Sequence, residues 1–217
     1  MYELYNALDH TLTELSVSRW GVADIRDIPP FGDEYPRALS ILLAYDTPFQ
    51  PHDENAFFHT LETVKSNTEQ IVSEASQFLG RLDIPHFVIP QGGQDPETLK
   101  ASFSHKWTAV LAGLGWIGKN CLLITPEFGP RVRLSTILID CDLPPGTPTT
   151  ESQCGACTAC AAACPGGFIT GLTWKPGMPR ERLLDAHGCN KYRENYRPLL
   201  GRENECGRCL LTCPRGR

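Results

Sequence analysis

Cys154-Gly155-Ala156-Cys157-Thr158-Ala159-Cys160-Ala161-Ala162-Ala163-Cys164-Pro165 is the stretch that decides the reading of this 217-residue chain. Its spacing is C-x2-C-x2-C-x3-C-P. A second run, Cys206-x2-Cys209-x3-Cys213-Pro214, lies near the end of the sequence, with Cys189 between the two. Three thiolates two residues apart wrap a tight loop around three corners of an iron–sulfur cube. The Cys before Pro reaches across to a second cube when two [4Fe–4S] clusters are held together. The spacing therefore predicts one cluster on Cys154, Cys157, Cys160 and Cys213, and another on Cys164, Cys189, Cys206 and Cys209. Zinc is the competing reading of any CxxC pair, but a four-ligand zinc site has no use for the third Cys and the Cys-Pro after it.

The two runs resemble those of bacterial ferredoxins, so residues 150–217 are expected to form a ferredoxin-like two-cluster module. Ten cysteines without an export signal read as metal ligands in a reducing cytosol rather than as disulfides. The N-terminus shows no basic segment leading into an apolar one, and no apolar run is long enough to span a membrane, so a cytoplasmic location is expected.

Charge divides along the same line. Residues 1–150 hold 10 Lys+Arg against 19 Asp+Glu, net −9, whereas residues 151–217 hold 10 against 6, net +4. The basic excess offsets the negative charge of thiolate-bound clusters. It also suits docking of an acidic electron donor, a reduced ferredoxin or flavodoxin. The acidic body argues against non-specific nucleic-acid binding.

Upstream, helical spacing is read over residues 2–16, 54–80 and 96–112, the last carrying Leu99, Phe103, Trp107 and Val110 on one face. Short apolar runs at 38–45, 86–89, 121–125 and 132–139 read as strands. Strands alternating with helices imply an α/β (α+β) sandwich over residues 1–145, with 144–150 as the linker.

Gly113-Leu114-Gly115-Trp116-Ile117-Gly118-Lys119-Asn120 satisfies both GxGxxG and most of a P-loop. Both motifs need a strand before the glycines and a helix after them. Here a helix precedes, Pro126 leaves no room for a helix downstream, and Asn120 stands where a P-loop has Ser or Thr. There remains a glycine-rich turn that brings backbone close to something, either a packing corner or a cofactor wall.

The glycine turn, the strands ending at Asp140, the two cysteine runs and Arg197-Pro198-Leu199-Leu200-Gly201-Arg202 together resemble the epoxyqueuosine reductase family over about residues 105–214. The resemblance implies a nitroreductase-like α/β domain joined to a two-cluster module, with a cobalamin between them reduced by the clusters. Corrinoid reductive dehalogenases share that layout. Gly113, Gly115, Trp116, Gly118, Lys119 and Asn120 are then the candidate cofactor contacts, with Lys119 read as contacting an anionic group or as a surface lysine, and Trp116 as a core tryptophan ahead of one stacked on the macrocycle.

Two departures matter. The family has a Val-Asp-Ser-Ala-Pro segment whose Asp donates the catalytic proton; counting back from Gly113, it would fall near Leu99, where no Asp stands. His105 and Lys106 are the catalytic candidates in its place. The family's tRNA-binding extension lies beyond the clusters, and this sequence ends four residues after Cys213, so tRNA is not the expected substrate; a small molecule is.

Tyr192 and Tyr196 are expected to shield the second cluster, and Cys121 and Cys141 to be packing residues. The alternatives to a reductase are a non-catalytic electron-transfer protein and a reductive activator of another corrinoid protein.

Overall fold

A computed structural model describes residues 2–45, 54–200 and 206–216, with side chains left out of account at 54–58 and 196–200. The body is a four-stranded antiparallel sheet in the order β1-β2-β6-β3, formed by Arg19–Asp24, Arg37–Ala44, Val132–Ile139 and His86–Val88. Helices cover both faces. Every residue of β2 is buried, which is why Ala38-Leu39-Ser40-Ile41-Leu42-Leu43 reads as an unbroken apolar run instead of an alternating one.

On one face lie α1 (Tyr2–Glu14) and α2 (Glu54–Arg81). Leu8, Leu12, Val64, Ile71, Val72, Ala75 and Leu79 form their stripe and pack on Leu39, Ile41, Ile137 and Ile139. Each fully buried Leu or Ile there contributes about 1.5–3 kcal/mol. On the other face lies α3 (His105–Leu111), packed with Ala23, Leu42 and Leu138.

The architecture is mixed α/β, as expected, but local expectations change. β1 lacks the long apolar run that marks its neighbours, so no local pattern announces it. The helix expected over 96–112 begins only at His105. Asp95 folds the preceding segment into a turn by accepting from the Glu97 and Thr98 backbone N–H groups and the Thr98 hydroxyl. Leu99 then takes a left-handed φ of 52°, and Ser104 caps α3 by accepting from the Trp107 N–H. The strand expected at 121–125 is half of a small separate hairpin, β4 (Trp116–Ile117) against β5 (Leu123–Ile124).

Residues 144–150 are no loose linker. Gly146 N–H donates to the Val22 carbonyl and Thr149 N–H to that of Val110, binding the connection to β1 and α3. Beyond it come two short helices, α4 (Ala159–Ala162) and α6 (Arg208–Leu211), which pack together, with α5 (Ala186–Leu200) between them in sequence. Trp174 and Leu183 of this region join the α3 core, and Trp174 meets Trp107 at 5.8 Å between ring centroids. Arg180 donates to the Thr98 and Leu99 carbonyls. The cysteine-bearing region is thus continuous with the sheet body. No helix among the described residues is long and apolar enough to cross a membrane.

Candidate redox site

All ten cysteines are free thiols. The local folds bring eight of them together in two sets. Cys160 sits on α4 and Cys209 on α6, so the packing of these two helices brings the runs face to face. After Cys164-Pro165 the chain doubles back, with Thr170 N–H donating to the Leu183 carbonyl and Asp185 N–H to that of Phe168. That return delivers Cys189 in the first turn of α5.

The electrostatics record the grouping. Burial pushes the Cys160 thiol up, and the neighbouring charges that add to it are those of Cys154, Cys213 and Cys157. Burial pushes Cys209 up to about 12, helped by Cys206, Cys189, Cys160 and Cys164. Burial also raises Cys213, against the opposing charge of Arg131. Cys160 and Cys213 thus feel Cys154 and Cys157, whereas Cys209 feels Cys206, Cys189, Cys160 and Cys164. Cys160, Cys209 and Cys213 resist ionisation as bare thiols, because each thiolate would be desolvated beside others. A cationic iron–sulfur core removes that conflict, so the donor set fits such a group. Among the described residues no three His, Cys, Asp or Glu side chains gather tightly enough to hold a single metal ion.

A cleft of about 650 Å³ separates the sheet body from the cysteine region. Cys164, Cys189, Cys206 and Cys209 all line it; Cys154, Cys157, Cys160 and Cys213 do not. Phe168 and Tyr192, whose rings lie 6.2 Å apart, wall it beside Cys189, and the Phe168 N–H donates to the Cys164 sulfur at 3.3 Å. The Tyr196 side chain lies outside those described.

His105 and Lys106, the first two residues of α3, both reach the cleft. His105 Nδ1 pairs with Thr136 Oγ1 at 2.8 Å. Burial, with the Arg133 charge assisting, lowers its pKa to about 4, so it is neutral near pH 7. Lys106 Nζ donates to the Cys121 carbonyl at 2.7 Å. Sequence reasoning missed Arg133 and Gln91, which line the same wall, because a strand-end Arg and a loop Gln carry no motif.

The glycine turn divides differently from its expectation. Of its six named residues only Asn120 lines the cleft. A Cβ on Gly115 would stand 2.2 Å from the Ile124 carbonyl oxygen, and one on Gly118 2.6 Å from the Ile124 side chain. Gly113, at φ 77°, sits under the Thr147 carbonyl. These glycines close the β4–β5 hairpin and dock the connection behind it. Trp116 is fully buried, with the Arg215 guanidinium 5.9 Å from its ring centroid, rather than facing a macrocycle. Lys119 is buried and stands outside the cleft lining, so it is not placed on an anionic group there. Asn120 Nδ2 donates to the Cys209 carbonyl while its Oδ1 accepts from the Leu122 N–H. Arg131 donates to the Cys213 and Arg215 carbonyls. The turn therefore seats the second cysteine run on the sheet body. Cys121 and Cys141 pack into the two cores flanking the sheet.

The fold of this chain is similar to that of two groups of solved structures. The chain matches, over all of its length, an epoxyqueuosine reductase from Bacillus subtilis solved with its catalytic aspartate loop swung out of the active site (TM-score 0.64, 20% identity, 66% of that chain covered). It matches a catabolic reductive dehalogenase over 97% of its length (TM-score 0.73, 17% identity, 32% of that chain).

The sequence relatives are narrower. Epoxyqueuosine reductase from Bacillus anthracis is 37% identical over 115 residues, 49% of this chain and 28% of that protein. The Salmonella typhimurium enzyme is 31% identical over 167 residues, 72% of this chain and 38% of that protein. These relatives place the chain in an epoxyqueuosine reductase-like family. It spans about a third of the length of the curated relatives it matches. No protein-family model matches the chain.

Proposed function

We propose that the chain is an iron–sulfur oxidoreductase in which two [4Fe–4S] clusters pass single electrons to a cobalamin in the cleft, for reduction of a substrate held beside it. The observation that carries this reading is that one complete thiol set lines the cleft and the other stands behind it. When bound, the clusters would supply stepwise electron transfer and the corrinoid a low-valent cobalt for two-electron reduction.

The cleft suits a large, partly apolar cofactor. Its volume lies within the ordinary range of cofactor pockets. Leu122, Leu134, Phe168 and Leu210 provide apolar wall, and Asn120 is the one glycine-turn residue placed to contact such a group. Cys164, Cys189, Cys206 and Cys209 would hold the nearer cluster, and Cys154, Cys157, Cys160 and Cys213 the farther one.

The chain's own residues divide the remaining work. Phe168 and Tyr192 exclude water beside the nearer thiols, and the Phe168 N–H stabilises negative charge on Cys164. His105, neutral and held by Thr136, is placed to orient a substrate polar group. Lys106, an ammonium at the cleft wall with one N–H spent on Cys121, is placed to give up a proton to a reduced product.

One solved epoxyqueuosine reductase holds an epoxyqueuosine-modified tRNA-Tyr stem loop. This relative makes the stem loop the first substrate to try, with a small molecule as the alternative. The test is anaerobic reconstitution with iron and sulfide, addition of cobalamin and a low-potential donor, and assay on the epoxyqueuosine stem loop and on the free modified nucleoside. Two clusters, a retained corrinoid and turnover of either compound are expected. Two clusters with no retained corrinoid would return the chain to an electron carrier.

A further inference from the structure

The sheet-body wall of the cleft carries a cation that no carboxylate answers among the described residues. Arg133, near the start of β6, is half-buried and takes part in no ion pair with a carboxylate among the described residues. Among the described residues its buried Nε has no hydrogen-bond partner, and its one side-chain hydrogen bond is a long 3.4 Å bond from Nη2 to Gln91 Oε1. Gln91 is itself fixed, donating to the Leu134 carbonyl at 2.9 Å and the Ser135 hydroxyl at 3.0 Å. Lys106 and Lys65 line the same cleft. Glu62 is the one carboxylate lining the cleft among the described residues, and it is exposed.

A partly desolvated guanidinium is costly unless something answers it. Arg193 and Arg208 of the opposite wall stand among thiols of the second set, where a cluster's negative charge would meet them. Arg133 belongs to the sheet-body wall instead. Its neighbours are ones an oxyanion tolerates: a neutral imidazole, an amide and an ammonium.

We propose that Arg133, with Lys106 and Gln91 beside it, is an oxyanion-binding subsite that receives a phosphate or carboxylate group of the molecule reduced in the cleft or of the cofactor bound there. This rests on the cleft being the reaction chamber, and it adds an anionic group to the molecules that enter. An arginine fork holds two oxygens of such a group at once, which fixes its orientation as well as its charge. His105 lies near enough to the same guanidinium to feel its charge, so a ligand anchored on Arg133 is presented to the His105 and Lys106 end of α3.

The test is equilibrium dialysis of inorganic phosphate against the cluster-reconstituted full chain at fixed ionic strength, with and without cobalamin loaded. Saturable binding is expected, weakened about tenfold or more in Arg133→Gln, with Arg133→Lys intermediate. The visible absorbance of the clusters reports whether each variant is intact. Phosphate binding that disappears on cobalamin loading assigns the subsite to the cofactor's phosphate; binding that persists assigns it to the substrate. No saturable binding by the wild-type chain, or equal binding by an intact Arg133→Gln protein, overturns the proposal. Failure to retain cobalamin would count against the corrinoid reading and leave the phosphate result standing.

Discussion

The two thiol sets have the same composition and different surroundings. Cys154, Cys157, Cys160 and Cys213 lie behind the cleft, with Arg131 bonded to the Cys213 carbonyl. Cys164, Cys189, Cys206 and Cys209 open onto it beneath Phe168 and Tyr192. In the proposed function the rear set receives electrons and the cleft-side set delivers them. If the Cys-Pro ligands cross as proposed, the two sets would be inseparable in folding while remaining distinct in position. A carrier has no need of this asymmetry, and a reductase does.

The most severe way to break the comparison is to remove a thiol from one set at a time. Cys209→Ser is expected to lose the cleft-side cluster and all substrate reduction, with about half the iron retained. Cys160→Ser is expected to keep the cleft-side cluster but to lose reduction by a protein donor. Iron analysis with low-temperature electron paramagnetic resonance separates the two outcomes.

Arg131→Met acts on the rear set alone. It removes charge-assisted hydrogen bonds to the Cys213 and Arg215 carbonyls and is expected to cost about 2–3 kcal/mol, read by chemical unfolding. It also removes a positive charge beside Cys213, so a redox titration should show the rear cluster's potential falling while the cleft-side potential stays in place.

On the cleft side, His105 gives the chain a pH dependence. Its folded pKa of about 4 lies below the ordinary 6.5, chiefly through burial. As pH falls, the unfolded chain takes up this proton first. Stability present above about pH 6.5 is therefore lost progressively down to about pH 4, by about 3 kcal/mol in all. His105→Gln should flatten that part of the pH–stability curve.

The smallest expected effect is at the seam. Asn120→Ala removes the bond to the Cys209 carbonyl and should cost about 1–2 kcal/mol in melting experiments.

The sequence is most legible where chemistry fixes spacing. The cysteine runs propose ligand sets because a cube's corners dictate residue separation, and the structure brings the runs together through α4 and α6. β2, β6 and α2 are legible because burial on both faces, or on one stripe, leaves a periodic trace. The glycine turn is legible as a turn, but its purpose is not. Gly115 and Gly118 are required by Ile124 across the small β4–β5 hairpin, and no local pattern distinguishes that from a cofactor approach. The start of α3 is hidden because Leu99 and Phe103 keep helical spacing while Asp95 and Arg180 hold the segment in a turn. Arg180 lies 81 residues beyond the Leu99 carbonyl it bonds, out of reach of any local pattern. Arg133 is invisible for a related reason: its distinction is that no carboxylate pairs with it among the described residues, which only the folded chain reveals.

The most direct measurement is electron paramagnetic resonance of the fully reconstituted chain carrying cob(II)alamin, with the clusters partly reduced. One corrinoid per chain is predicted, its signal broadened by a nearby reduced cluster, with the broadening lost in Cys209→Ser and kept in Cys160→Ser. A chain that retains no corrinoid, or one whose corrinoid signal is indifferent to which thiol set is broken, would contradict the assignment of the cleft-side set as the electron-delivering one.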